Sequence, residues 1–394
     1  MTPENGGPLR RLRRRPRFVH VVTLSWKGRL ATYVSRLEPP IRLKGDRGKW
    51  RFPWIVFIEP TRSPNRAITS YYRSFGFFVE EPMPLIIRQT LWRVVNNWRV
   101  VIGRFRRRSQ GAIRSNIWEE PSSITHQKVS TRRGLPDGGA RPILERLGLD
   151  DSRPYVLLAV RDRAYYTHLR ATNTVSRLGK EVLDDTMIRN PDIRTYAETA
   201  RRLQEYGISM IRVGHPVSPL PVELADVVVD YSSCGRTEEG DVILARHCSL
   251  LINGTSGFHS LVSAFNRPVA HTNHYNFFKG SGLSQRDLFI PQLVWDHRES
   301  RYLAFGEMSM GRSRFSRHDA SEPQRWTLIK NRPEQIRAVV EEALNELRGS
   351  DELTEADVTL RRRFDALRQP PAGSKWCHGR IGINFLKDHE ELLR

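Results

Sequence analysis

Asn253-Gly254-Thr255-Ser256-Gly257 is a run of small and polar residues between an apolar stretch, Ser249 to Ile252, and a second one with Phe258, Leu261, Val262 and Phe265 at helical spacing. The first stretch reads as a buried strand and the second as a helix, so the run between them is a turn that feeds a helix N-terminus. Backbone N–H groups there lack intrahelical partners and the dipole favours negative charge, which makes a phosphate the expected ligand. Ser256 is placed to cap the helix, and Gly254 and Gly257 let backbone approach a ligand without a Cβ in the way. An ordinary strand-to-helix connection has the same composition and stands as the alternative.

Two arginines fall at comparable places. Arg161 follows the apolar strand Pro154 to Val160 and precedes Asp162, while Arg212 lies near the end of the strand Ile208 to Val213, ahead of Gly214-His215-Pro216. A diphosphate leaving group needs charge neutralisation as its bond breaks, and fixed guanidinium groups with backbone donors can supply it in place of Mg²⁺. The structural alternative for both is an ion pair with a neighbour such as Asp162 or Asp230.

The elements that must position these residues alternate. Asn190-Pro191-Asp192 is a cap signal followed by Ile193, Ala197, Ala200 and Leu203 on one helical face; Gly207 ends that helix, and Val227 to Val229 is a further strand. The order is β-α-β-β-α-β-α-β, which predicts a parallel, doubly wound α/β sheet whose ligands bind beyond the carboxyl ends of its strands. Arg161, Arg212 and Asn253 all fall at such ends. Farther on, Asn273 to Arg325 has no clear period, Pro333 opens a helix over Glu334 to Leu347, and Gly379 to Leu386 reads as an extended piece and a terminal helix packed back on the sheet.

The chain has 394 residues and a net charge of +21, enough length for two domains. Residues 1–150 hold 30 Lys+Arg against 11 Asp+Glu, and the remainder 34 against 32, so the excess belongs to the first part. Residues 1–20, with Arg10 to Arg17 reading RRLRRRPR, are expected to be a basic disordered tail. Residues 21–150 form a first α/β domain with a linker, and 151–394 a second. Leu85 to Ile102 is an amphipathic basic helix, read as packing on the first domain's core or lying in a membrane interface. Such a charge distribution suits an anionic surface, lipid headgroup or nucleic acid. The aromatics sit in apolar runs such as WIVFI (Trp54 to Ile58) and do not alternate with arginine as stacking platforms would, which disfavours nucleic acid. Cys234, Cys248 and Cys377 are odd in number and widely spaced, unlike a disulfide framework or zinc site. No apolar run reaches the roughly 18 residues of a spanning helix, and the charged start lacks a secretory core. The expected place is the cytoplasm, with the inner face of the plasma membrane as a docking surface.

Several catalytic signatures are missing: a Walker lysine motif, a full G-x-G-x-x-G, a G-x-S-x-G elbow, an H-E-x-x-H and any Asp-x-Asp pair. His271 and His274 read as loop residues with His259 nearby, surface or ligand-facing and without the partners of a metal site, so no metal is assigned.

The runs Y-V-L-L-A-V-R-D, N-P-D-I-R-T-Y, G-I-S-M-I-R-V-G, V-V-V-D-Y, D-V-I-L-A-R-H-C-S-L-L-I-N-G-T-S-G-F, F-N-R-P-V and R-I-G-I-N-F-L together resemble a family of bacterial proteins assigned as glycosyltransferases in surface-polysaccharide gene clusters. The resemblance covers roughly residues 150–390 and reaches faintly to Pro64-Asn65-Arg66; it does not explain the basic N-terminal extension. It implies a GT-B-like fold, two Rossmann-like doubly wound domains facing a cleft, with a nucleotide-sugar held by the second domain without a metal or cofactor. Carried over, Arg161 and Arg212 would neutralise the donor diphosphate, Asn253, Gly254, Thr255, Ser256 and Gly257 would bind its phosphate and ribose, and Gly214 would belong to the same donor site. His215 and Asn273 would reach the base or sugar. A transfer to a hydroxyl also needs a general base, for which Glu59 at a first-domain strand end and Asp162 are the rivals. The implied reaction moves a sugar to a glycan or lipid-linked acceptor. The same fold transferring a pyruvyl, phosphoglycerol or sialyl group, and a non-catalytic nucleic-acid or anionic-lipid binding module, are the alternatives.

Overall fold

The computed structural model describes residues 19–23, 54–59, 65, 67–68, 77–80, 139–171, 190–274, 284, 286–310, 325–350, 353–368 and 379–394. Residues 1–18 of the basic tail, the amphipathic stretch 85–102, the Gly-rich loop at 134–138 and Cys377 lie outside the described residues. In the first part of the chain β1 (Val19–Thr23), β2 (Trp54–Glu59) and β3 (Phe77–Glu80) make a parallel three-stranded sheet in the order β1-β2-β3. Its register sets Val21 opposite Val56 and Glu59 opposite Glu80.

The second part is an α/β fold around a six-stranded sheet. After α1 (Arg141–Arg146), β4 (Tyr155–Val160) starts this sheet, α2 (Arg163–Ala171) follows, and a short turn of helix at Ile193–Tyr196 runs into α3 (Ala197–Glu205). Next come β5 (Ser209–Arg212), α4 (Glu238–His247), β6 (Leu250–Gly254), α5 (His259–Ala264), β7 (Val269–His274) and β8 (Leu288–Pro291). The stretch after Asn273, patternless in sequence, forms β8 and an antiparallel sheet of β9 (Leu293–Asp296), β10 (Arg301–Tyr302) and β11 (Trp326–Ile329), with α6 (Phe305–Met310) between. The chain closes with α7 (Pro333–Arg348), α8 (Glu355–Leu367), β12 (Arg380–Ile381) and α9 (Ile383–Lys387). β12 pairs parallel with β8, so the expected extended piece and terminal helix do return to the sheet.

Why the sheet is apolar on both faces is visible along β4. Val156 and Leu158 join one core with Ile252, Ala270, Ile336 and Val340; Tyr155, Leu157 and Ala159 join another with Leu251, Leu244, Leu261 and Val269. A parallel sheet needs such cover on both sides, because its crossovers put helices there. α7 supplies the longest stripe, Ile336, Val339, Val340, Ala343 and Leu344, and stops at Gly349 in the left-handed conformation, φ 70°. Each large aliphatic side chain so buried contributes about 1.5–3 kcal/mol. Val227–Val229, expected as a strand, makes only a single bridge, Val229 to Ile211. Two residues from far upstream join the second core. Ile68 is fully buried, and Asn65 donates through Nδ2 to Glu238 O at 2.9 Å while its Oδ1 accepts Ile68 N–H at 2.9 Å.

Candidate active site at the carboxyl edge of the sheet

The strand order β12-β8-β7-β6-β4-β5 sets the site. The chain leaves β4 for β5 on one side and comes back to β6 on the other, so the winding direction reverses between β4 and β6. A crevice opens beyond the carboxyl ends of strands at such a reversal. Its walls are Val160-Arg161 and Gly254-Thr255-Ser256. They are bound to each other: Arg161 N–H donates to Gly254 O at 3.0 Å, and Val160 bridges Thr255. Arg161 is half-buried there, and Thr255 turns the chain at φ 58°.

The turn is braced from below, and this changes the roles of its residues. Asn253 is 2% exposed. Its Oδ1 accepts Ser256 N–H at 3.2 Å, and its Nδ2 lies 3.2 Å from His271 Nδ1. An amide N–H₂ only donates, so His271 Nδ1 accepts and the neutral ring carries its proton on Nε2. Ser256 Oγ accepts Phe258 N–H at 3.3 Å, while Ser256 O accepts His259 Nδ1–H at 2.7 Å. Asn253 therefore shapes the turn from inside the protein. Gly254 is needed for its own packing: a Cβ there would meet Tyr196 Oη at 2.7 Å and Pro191 Cγ at 3.0 Å. The helix that the turn feeds, α5, has only six residues, and its first turn is tightened by Ser260 N–H to Gly257 O and Leu261 N–H to Phe258 O. So short a helix has little dipole to offer.

Arg212 is not a surface cation. It is 3% exposed, with Nη2 3.5 Å from Asp162 Oδ2 and Nη1 3.5 Å from Asp230 Oδ2. The ion pair expected as the structural alternative is present, with one carboxylate on each side of the guanidinium. Asp162 is equally occupied. It accepts Ala164 N–H at 2.7 Å, Ser218 N–H at 2.9 Å and Ser218 Oγ–H at 2.7 Å. Those bonds start α2 and pin the loop after β5, and with Arg212 against Oδ2 they engage both carboxylate oxygens. Glu59 ends β2, and its side chain lies outside the described residues.

Beyond β5, Gly214 takes φ 123° and His215 is exposed, its ring held below the ordinary histidine range by burial and then by Arg236 and His168. Asn273 lies inside the protein on β7. It is fully buried at φ 52°, exchanging backbone-to-side-chain hydrogen bonds with Asn331 and accepting Gln292 Nε2–H at its carbonyl, 3.1 Å away. His271 and His274 belong to β7 and not to a loop. His271, 3% exposed, sits edge-on to His259 at 5.4 Å and to His274 at 6.0 Å, and burial holds it well below its usual value, with the two neighbouring rings adding to the effect. Among the described residues no group of three or more His, Cys, Asp or Glu could hold a metal ion, and no helix is long and apolar enough to cross a membrane.

Three contributors escaped the sequence reading. Tyr196 hydrogen-bonds Thr272 at 2.6 Å beneath Gly254, Asn331 ties β7 to β8 through Asn273 N–H and Pro291 O, and Pro191 packs near Gly254. Asn190-Pro191-Asp192 did signal a cap, and Asp192 is the residue that accepts, from Arg194 N–H at 2.9 Å.

No family model matches the sequence, and no curated protein matches it. Among solved structures the chain is similar to E. coli ADP-heptose lps heptosyltransferase II, at 14% identity and a TM-score of 0.43, over 84% of this chain and 98% of that one.

Proposed function

We propose that the protein is a metal-independent glycosyltransferase that moves a sugar from a nucleotide-sugar donor to a glycan or lipid-linked acceptor. One observation carries the reading: the winding reversal between β4 and β6 joins Arg161 directly to the Gly254–Ser256 turn, through Arg161 N–H to Gly254 O at 3.0 Å. An arginine at the mouth of such a crevice is the cation a departing diphosphate needs, since its planar fork binds phosphate oxygens in pairs. The absence of any Asp-x-Asp in the sequence fits neutralisation by this side chain instead of by a bound divalent ion. The positive excess of residues 1–150 fits an acceptor presented at an anionic membrane face.

The test is a melting-temperature panel with UDP, GDP, CMP and their sugar conjugates. A ligand at 100 times its Kd adds about 2.7 kcal/mol, a rise of several degrees for a domain this size. One nucleotide class should raise the transition, and Arg161→Ala should weaken binding of that nucleotide about 10- to 100-fold, as loss of a charged hydrogen bond would. A folded protein that responds to no nucleotide refutes the reading.

A further inference from the structure

The crossover that leaves β2 for β3 belongs to the three-stranded sheet by sequence, yet Asn65, Ala67 and Ile68 in it pack on the second core. Ile68 is fully buried there with Tyr231, Val242 and Leu244, and Ala67 packs against the same cluster. Asn65 is 1% exposed and makes two bonds. Its Oδ1 accepts Ile68 N–H, which closes a local turn, while its Nδ2 donates to Glu238 O, 173 residues on in the chain. Glu238 opens α4, and because α4 leads into β6, parallel to β4 and β5, it starts at the carboxyl edge of the six-stranded sheet. Bonded contacts run from there to the crevice. Tyr231 Oη accepts Thr237 N–H at 3.0 Å and donates to Thr237 O at 2.9 Å. The residues on either side of Tyr231 hold Arg212: Ser232 Oγ–H donates to its carbonyl at 3.2 Å, and Asp230 faces its guanidinium. Arg212 in turn faces Asp162, the residue after Arg161. In the other direction Asn65 lies six residues past Glu59, the end of β2, a length of chain that spans at most about 20 Å.

We infer that Asn65 is a positioning residue for the transfer step: its bond to Glu238 pins the crossover, and with it the carboxyl end of β2, beside the crevice, so that a group carried by the three-stranded sheet meets a donor held by the six-stranded one. This rests on the nucleotide-sugar reading and adds to it the contact that joins the two sheets. A hydrogen bond suits the task better than apolar packing alone. A buried amide drawn away from its partner goes unsatisfied, which holds the crossover to one placement.

Two substitutions separate the two bonds. Asn65→Ala removes both, whereas Asn65→Asp keeps the acceptor for Ile68 N–H and sets a carboxylate oxygen against Glu238 O. In the full-length, unliganded protein, amide hydrogen exchange in β2 and β3 should quicken about 10-fold or more in both variants, while β4 and β6 exchange as in the wild type. Wild-type rates in β2 and β3 of Asn65→Asp would mean that only the local turn matters, and equal quickening in all four strands would mean that Asn65 simply serves the second core; either result overturns the inference. Whichever of UDP, GDP or CMP stabilises the wild type should bind both variants within about twofold, and its release from the sugar conjugate should slow about 10-fold or more at saturation with KM unchanged, as misplacement of a reacting group predicts. A lost nucleotide affinity would place Asn65 in the donor site itself and overturn the positioning role, as would an unchanged rate of release. A wild type that binds no nucleotide overturns the donor reading and the role in transfer with it, whereas the exchange rates of the unliganded protein judge the pin on its own.

Discussion

A methyl group at position 254 would stand 2.7 Å from Tyr196 Oη and 3.0 Å from Pro191 Cγ, with Val160 Cα at 3.4 Å. The hydroxyl cannot easily retreat, because it shares a hydrogen bond with Thr272 at 2.6 Å inside the core, and burial pushes its pKa up to about 12. Gly254→Ala should therefore destabilise by about 1–3 kcal/mol, the usual range for overpacking. Tyr196→Phe alone should lose about 1 kcal/mol with its hydrogen bond. Removing the hydroxyl also removes the nearest obstacle, so the double variant should cost less than the two single changes combined, with Pro191 setting the part that is not recovered. Chemical denaturation of the four proteins reads the coupling. Costs that simply add would mean that Tyr196 does not confine Gly254, and the packing account of this glycine would fail.

At the scale of elements, the loops after β4 and β5 are tied by a knot of Arg212, Asp162 and Asp230 in which Asp162 also holds Ser218, 56 residues away in sequence. Arg212→Met would leave two partly buried carboxylates facing each other and should cost about 3–5 kcal/mol, as breaking a buried ionic cluster does. A normal melting temperature combined with a lost nucleotide response would instead make Arg212 a ligand cation. The same knot explains what the sequence could and could not convey. β4, β6 and α7 were legible because their apolar residues keep one period and Pro333 and Gly349 mark the limits of α7. Arg212 was legible as a cation at a strand end, but its partners lie on other loops, and one-dimensional spacing does not reveal them. β9 and β11 were illegible for a related reason: each has four residues, and the pairing of Trp295 with Thr327 joins segments about thirty positions apart. The turn expected at 253–257 begins later, since Asn253 and Gly254 still belong to β6; that Asn253 points its amide at His271 depends on register with β7.

For the molecule as a whole, titratable groups of opposite sense set the pH dependence. His271 is held well below its unfolded value near 6.5, and His215, His247 and His389 are lowered too, each chiefly by burial. As pH falls below 6.5 the unfolded chain takes protons there that the folded chain refuses, so these groups remove stability on acidification. Asp287 behaves in the other sense. It is fully buried, and although it accepts Val269 N–H at 2.9 Å and Ser284 N–H at 2.6 Å, burial dominates and pushes its pKa to about 7. Asp241, beside Arg236, is pushed to about 6. Between pH 7 and 4 these carboxyls bind protons in the folded state that the unfolded chain leaves free, so acidification stabilises through them, by up to about 4 kcal/mol for a three-unit difference at Asp287. The two slopes oppose each other across one window, and the wild-type melting temperature should change little between pH 7 and 5. Asp287→Asn keeps an acceptor for Val269 and removes the titration, so its melting temperature should drop as pH is lowered over that range. His271→Gln removes the opposing group and should show the reverse, a transition that rises on acidification. Melting curves of the three proteins at pH 5, 6 and 7 decide the matter: parallel profiles would mean that each group titrates alike in the folded and unfolded chain. If the profiles diverge as expected, His271 stays neutral in the folded chain and goes on accepting the Asn253 amide proton, so the turn that it props keeps its shape through this window.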